Sequence, residues 1–355
     1  MNIEKLTEDA ISLLKNLIET QSFSTEEDKT ALLIEAWFIK NEIPFKRTKN
    51  NIWATNKHFD ESKPTMLLNS HHDTVYPNTA YTNDPLNAFV EDGKLYGLGS
   101  NDAGGCLVSL IATFTNFYAQ ENLKYNLVIV ASAEEENSGP DGLNSMLSII
   151  PHIDVAIVGE PTLMNLAVAE KGLVVFDAVV EGTPSHAAHP NNNNSIYNTI
   201  EVLQWFKDFK FEKPSVALGD VKMTVTQISA GSQHNVVPAH TNLVVDVRVN
   251  DAYSNQEIAA ILKEQSPCTT ITPRSLRLNS SSISTDHALV KAGIEMGRET
   301  YGSPTLSDQS VLTCQSLKLG PGDSTRSHSA NEFIYLAEIE EGIQIYIELL
   351  NRVIV

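Results

Sequence analysis

The sequence is short of cations. Lys and Arg number 25 against 44 Asp and Glu, for a formal charge of −19. That argues against nucleic acid or an anionic membrane as partner, because repulsion acts over the whole surface. An anionic small molecule stays open, because a metal ion or a few Arg can reverse the field locally. Cysteine is scarce: Cys106, Cys268 and Cys314 are odd in number, far apart and not in CxxC spacing. This argues against a disulfide framework and fits a reducing compartment. No apolar run reaches transmembrane length, and the first ten residues carry acids instead of a signal-peptide pattern. A soluble cytoplasmic protein is the expectation. Residues 97–105 are glycine-rich but have neither the GxGxxG register nor GK[ST], so nucleotide binding is rejected. Internal repeats are missing, and the one low-complexity piece, residues 191–194, reads as a loop.

What is present is enough for a sizeable core. Hydrophobic residues make up 42% of 355, which suits one large domain or two ordinary ones. The chain is organised around Ser132-Ala133-Glu134-Glu135-Glu136-Asn137-Ser138-Gly139. This stretch follows an apolar run at 127–131 that reads as a buried strand. Acids crowded at a strand mouth raise one another's pKa, and burial adds to the effect. A divalent cation would relieve both penalties; the competing reading is a solvated acidic turn. His71, Asp73, Asp102, Glu160 and His328 each lie beside a strand-like run or in a glycine-rich turn. Two histidines with several carboxylates form a ligand set for zinc or a similar transition metal.

Along the chain, residues 7–18 read as a helix, and Ser24 with Glu27 as a capping box opening a second. Residues 45–55 read as a strand near an edge. The run at 65–69 ends in Ser70-His71-His72-Asp73. Strand alternation puts His71 and Asp73 on one face and His72 on the other. A carboxylate there suits orienting a metal-bound His71, although most His-x-Asp triplets are ordinary surface or capping residues. Asp102 either approaches an ion or caps the helix that follows. Cys106 reads as a small core residue. Another short strand, 155–158, delivers Glu160 into a Pro-terminated turn. Strands alternating with helical sequence indicate an α/β layer with a mostly parallel sheet, whose ligands gather at the carboxyl ends of the strands. From about residue 174 the pattern changes to half-exposed antiparallel strands at 174–180, 222–228 and 243–249, with a helix at 195–209. Residues 174–282 therefore read as an inserted α+β domain. A return linker, a helix over 286–300, a long loop at 320–328 and a last helix over 334–352 complete the chain.

Seven motifs carry a resemblance: His71-His72-Asp73, Gly97-x-Gly-x-x-Asp102, Glu134-Glu135-Glu136, Gly159-Glu160-Pro161-Thr162, Ser185-His186, Asn235-Val236-Val237-Pro238, and Gly320-Pro321-Gly322 through His328. In this order and over nearly the whole chain, they resemble the M20 metallopeptidase family. The branch is that of acetylornithine deacetylase and succinyl-diaminopimelate desuccinylase. The resemblance implies an α/β zinc-peptidase-like catalytic domain of residues 1–173 and 283–355, with helices flanking the sheet. Residues 174–282 would be the inserted α+β lid and dimerisation domain, and the protein a homodimer. It implies two zinc ions, with cobalt as a substitute: His71 and Glu160 on one, Glu136 and His328 on the other, and Asp102 bridging. Glu135 would be the general base, Asp73 would orient His71, and His186 would reach a partner subunit's oxyanion. Asn235, Arg248 and Lys171 would bind substrate. The implied reaction is amide hydrolysis of an N-acyl amino acid, with N-acetyl- or N-succinyl-ornithine of arginine biosynthesis first. Succinyl-diaminopimelate, acetyl-lysine and dipeptides are alternatives, as is a non-catalytic metal-binding protein. Two positions depart from the family's usual pattern, Glu134 in place of Asp and Asn137 in place of Gly; both bear on the shape of that turn.

Overall fold

The computed structural model describes residues 2–355 and divides into two compact units. The larger holds residues 2–168, Ser282–Tyr301 and Ser307–Val355; the second holds Ala169–Ser281 and Gly302–Leu306.

The larger unit is built on a mixed sheet. Its centre is parallel: Asn126–Ser132, Thr65–His71, Val155–Val158 and Gln315–Lys318 pair side by side in that order. The first three are apolar runs buried along their whole length, as strands covered on both faces must be. Both flanks are antiparallel. Lys46–Thr48 and Asn51–Thr55 form an edge hairpin against Asn126–Ser132, and Leu166–Glu170 meets Gln315–Lys318 at Ala167. The expected mostly parallel sheet is thus parallel at its centre and antiparallel at both flanks. One face packs on helices Ile3–Ile18, Asp28–Lys40, Gly105–Phe117 and Leu336–Ile354, through Leu14, Phe38, Phe114 and Tyr346. The other carries a smaller cluster around Trp53, Leu67, Val130 and Met146.

Several local expectations change. The first helix begins at Ile3, because the Asn2 side chain accepts from Glu4 N. Ser24 and Glu27 form no capping box: Glu27 is the N-cap residue without a side-chain cap, and Ser24 turns to Asp73. The helix expected over 286–300 covers only Ala288–Glu295, and Thr300–Ser303 is a strand. Asp102 does not cap the helix Gly105–Phe117.

The second unit is an antiparallel sheet in the order Lys222–Ala230, His240–Val249, Gly172–Glu181, Thr270–Pro273. Alternate residues Val174, Phe176, Ala178 and Val180 face inward, and helices Ser195–Asp208 and Asn255–Gln265 contribute Val202, Phe206, Ile258 and Leu262 to the same core. No helix among the described residues is long and apolar enough to cross a membrane.

Candidate metal centre

Each of the four parallel strands hands a donor to the same end of the sheet. His71 closes Thr65–His71, Glu135 and Glu136 follow Asn126–Ser132, and Glu160 follows Val155–Val158. The loop carrying His328 follows Gln315–Lys318. Asp102 arrives from the turn before Gly105–Phe117.

The donors converge. His71 Nε2 lies 3.4 Å from Asp102 Oδ1, 3.8 Å from Glu160 Oε1 and 3.9 Å from Glu135 Oε2. His328 Nε2 lies 2.9 Å from Glu136 Oε2 and 3.7 Å from Asp102 Oδ2. Asp102 therefore turns one oxygen toward each histidine. Two groups, His71–Asp102–Glu136 and His71–Glu135–Glu160, each draw their donor atoms within 4.8 Å.

These residues fit a metal. His71 Nδ1 is 3.0 Å from the backbone oxygen of Asp73, so a neutral ring donates there and keeps its lone pair on Nε2. That Nε2 and Glu160 Oε1 are both buried without a hydrogen-bond partner. Buried polar atoms are nearly always satisfied, and a cation would satisfy both at once. Electrostatics agree. Burial first, then Glu160, Asp308 and Glu136, push the Glu135 carboxyl well above the usual range. Burial, then Asp102, pushes Glu160 up to about 8. His328 is drawn up to about 9 by its bond to Glu136. Burial opposes charge on His71, but Asp102 and Asp73 outweigh it and draw a proton onto the ring. A metal ion takes the place of such protons.

The supporting groups are mostly ones that sequence reasoning missed. The Asp73 carboxylate accepts from Glu135 N (3.0 Å), Glu136 N (3.1 Å) and Ser24 Oγ (2.7 Å), so it holds the acidic turn as well as lying beside His71. Asn101 and Asp323 exchange two 3.0 Å bonds, tying the Asp102 turn to the 320–328 loop. Gly322 at φ 90° meets that turn; a Cβ there would sit 2.5 Å from Asn101 Oδ1. Asp308 accepts from Ser132 Oγ at 2.6 Å, and burial pushes it up to about 6. Glu332 accepts from three amides of the 97–102 turn. Asn101, Gly322 and Asp323 lie inside the motifs and Glu332 four residues past one, whereas Asp308 lies in a segment with no periodic signal. Glu134 leaves the cluster: at φ 55° it turns to accept from Asp141 N. His72 also points away, between Thr30 Oγ1 and Asn50 O. Cys106 is buried, its thiol pushed well up by burial and set against Pro321 O.

The remaining named residues belong to the second unit. Exposed His186 lies on the two-residue strand Ser185–His186, paired with Val236–Val237. Its Nδ1 accepts from Ala188 N at 3.1 Å, so the neutral ring carries its proton on Nε2. Asn235 is exposed, its backbone oxygen bound by Ala187 N. The Arg248 fork is occupied by Asp246 at 2.9 and 3.1 Å. Lys171 Nζ donates to Asp220 O at 2.8 Å, and burial lowers its pKa.

Fold and site together define a metal-dependent hydrolase. The chain belongs to peptidase family M20/M25/M40, whose pattern matches residues 67–352. It is 28% identical to an acetylornithine deacetylase of Proteus mirabilis over 95% of this chain and 88% of that one. It is 27% identical to a succinyl-diaminopimelate desuccinylase of Rickettsia felis over 72% of each. In fold it is similar to a Bacillus subtilis protein described as a dinuclear metal binding peptidase of the M20 family. There the TM-score is 0.75 at 16% identity, with 98% of each chain covered.

Proposed function

We propose that this hydrolase cleaves the amide bond of an N-acyl amino acid, with N-acetyl- or N-succinyl-L-ornithine as substrate and a place in arginine biosynthesis. The observation that carries the reading is the pair of orphaned buried atoms, His71 Nε2 and Glu160 Oε1, in a cluster whose Asp102 faces both histidines. The match to an acetylornithine deacetylase along 95% of the chain supports the substrate.

In this reading His71 and Glu160 would hold one zinc ion, Glu136 and His328 the other, and Asp102 would serve both, with cobalt able to substitute. The metal pair supplies Lewis acidity and lowers the pKa of water at the site to about 7. Glu135, with its affinity for a proton raised by burial, takes one from the attacking water at its carboxylate and returns it to the leaving amine nitrogen. Asp73 keeps Glu135 and Glu136 on the same turn through their amides. His186, carrying its proton on Nε2, donates to the oxyanion of a partner subunit's substrate. Asn235, Lys171 and Arg248 hold the substrate's carboxylate, the last two by exchanging Asp220 O and Asp246 for it. The homodimer forms through the second unit. Its strand Lys222–Ala230 is an unpaired edge, and its helix Ser195–Asp208 exposes Ile196, Tyr197 and Ile200.

The test is release of free amine from N-acetyl-ornithine, N-succinyl-ornithine and N-succinyl-diaminopimelate, with zinc or cobalt and a chelator control. Chelator-sensitive turnover of an ornithine substrate is expected. Turnover of the diaminopimelate compound alone moves the protein to the desuccinylase reading. No turnover of any of the three overturns the substrate class.

A further inference from the structure

The 97–102 turn has a backbone problem that one side chain solves. Gly99 sits at φ 74°, in the left-handed region, and Asp102 is nearly extended at φ −118°, ψ 99°. The amides of Gly99, Asn101 and Asp102 all face Glu332 and are not used in helix bonds. Oε1 of Glu332 accepts from Asn101 N at 2.8 Å and Asp102 N at 2.9 Å, and Oε2 from Gly99 N at 3.1 Å. The backbone oxygen of Glu332 accepts from Gly97 N at 3.0 Å. The residue is 2% exposed. It stands just before the strand Phe333–Tyr335, which pairs with Lys94–Tyr96 and fixes its backbone beside the turn. His328 lies four residues upstream on the same segment. Three amides engage this carboxylate, and it belongs to neither group of donors gathered around His71.

We infer that Glu332 is the positioning residue that aims Asp102 at both histidines, by clamping the 97–102 turn to the segment that carries His328. The inference rests on the reading of Asp102 as the shared metal ligand. A Gln at 332 keeps the shape but sets an NH2 group against a backbone N–H. An Asp keeps the charge but falls one carbon short. Either change frees Asp102 to turn away, and both metals feel it because both share that carboxylate.

The experiment is titration of cobalt into metal-stripped protein, reading stoichiometry, affinity and the visible spectrum of the bound ion, with Tm alongside. The variants are Glu332→Gln, Glu332→Asp, Asp102→Asn and Asn331→Ala. Asn331 is a control in the same loop, since its side chain holds Thr82 N and Asn83 N instead. Glu332→Gln is expected to weaken cobalt binding about 10–100-fold and change the spectrum, as loss of a group that orients a ligand does. Asn331→Ala should bind like the parent. Should Glu332→Gln not fold, Glu332→Asp carries the same expectation. Parental affinity and spectrum in both Glu332 variants would overturn the inference while Asp102→Asn still loses metal; so would an equal loss in Asn331→Ala. Unchanged binding in Asp102→Asn would overturn the ligand reading and this inference with it.

Discussion

The two units of this protein treat the same residue types in opposite ways. On the second unit acids are matched at the surface. Asp177 takes a two-point bond from Arg274, Asp246 one from Arg248, and Glu257 closes a capping box with Ser254. The bond from Arg274 lowers the Asp177 pKa, and the Ser254 amide lowers that of Glu257. At the strand ends of the larger unit, Glu135, Glu136, Glu160, Asp308 and Glu332 are all raised, with burial the leading cause in each. Surface pairs stabilise by about 0–1 kcal/mol at most. Buried acids crowded together cost stability unless a cation or a set of amides compensates. The difference teaches where to look: acids that are expensive to fold gather at the candidate metal centre and at the groups that hold it.

The largest effect should come from Glu135, proposed above as the proton acceptor. Glu135→Gln is expected to keep both metals and lose about 10²–10⁴-fold in kcat, read by steady-state kinetics and metal analysis. Near-normal turnover would sink its role and weaken the contrast between the units. Next is His186, the residue of the second unit proposed to face the oxyanion. His186→Ala should lose about 10²–10³-fold in kcat, the range for one oxyanion donor, with metal content intact. Mixing it with Glu135→Gln should restore some activity; none, with subunit exchange demonstrated, argues against a shared site.

Stability sharpens the contrast further. With metal at about 100 times its dissociation constant, the larger unit should gain about 2.7 kcal/mol, seen as a higher Tm. The pH dependence of the metal-free protein has a definite sign. Glu160 and Glu332, at about 8 when folded against an ordinary 4.5, subtract stability as pH rises through that interval. His328, at about 9 against 6.5, adds stability below 6.5 that is lost as pH rises to 9. All three act in one direction, but buried His72, lowered to about 4, adds stability as pH rises to 6.5, so Tm of the stripped protein should fall from pH 6.5 to pH 9, more steeply than with metal bound. A stripped protein whose Tm rises over that range would contradict the burial of these acids. The smallest effect belongs to the second unit: Arg274→Ala breaks an exposed pair and should leave the denaturant midpoint and kcat close to the parent's.

Apolar runs long enough to be covered on both faces were legible directly, so the strands through 65–71, 126–132 and 155–158 could be read with their acidic or histidine ends. Gln315–Lys318 could not, because three of its four residues are polar and it is a strand through its pairing with Val155–Val158. The capping box of Ser254 and Glu257 that opens helix Asn255–Gln265 is a local pattern, legible in the sequence alone.

The sequence by itself determined which side chains with metal-ligand chemistry stand at strand ends and in tight turns, since run length, glycine and motif order are local properties. Only the tertiary structure decided that these groups meet. His71 and His328 are brought to the two oxygens of Asp102 by parallel pairing across four strands, and no local pattern encodes that pairing. It also decided the partners of the acids. Ser24 went to Asp73 instead of a helix cap, Glu134 to Asp141 N, and Glu332 to the 97–102 turn. A buried carboxylate bonds the nearest unpaired amide, and that neighbour exists only once the chain is folded.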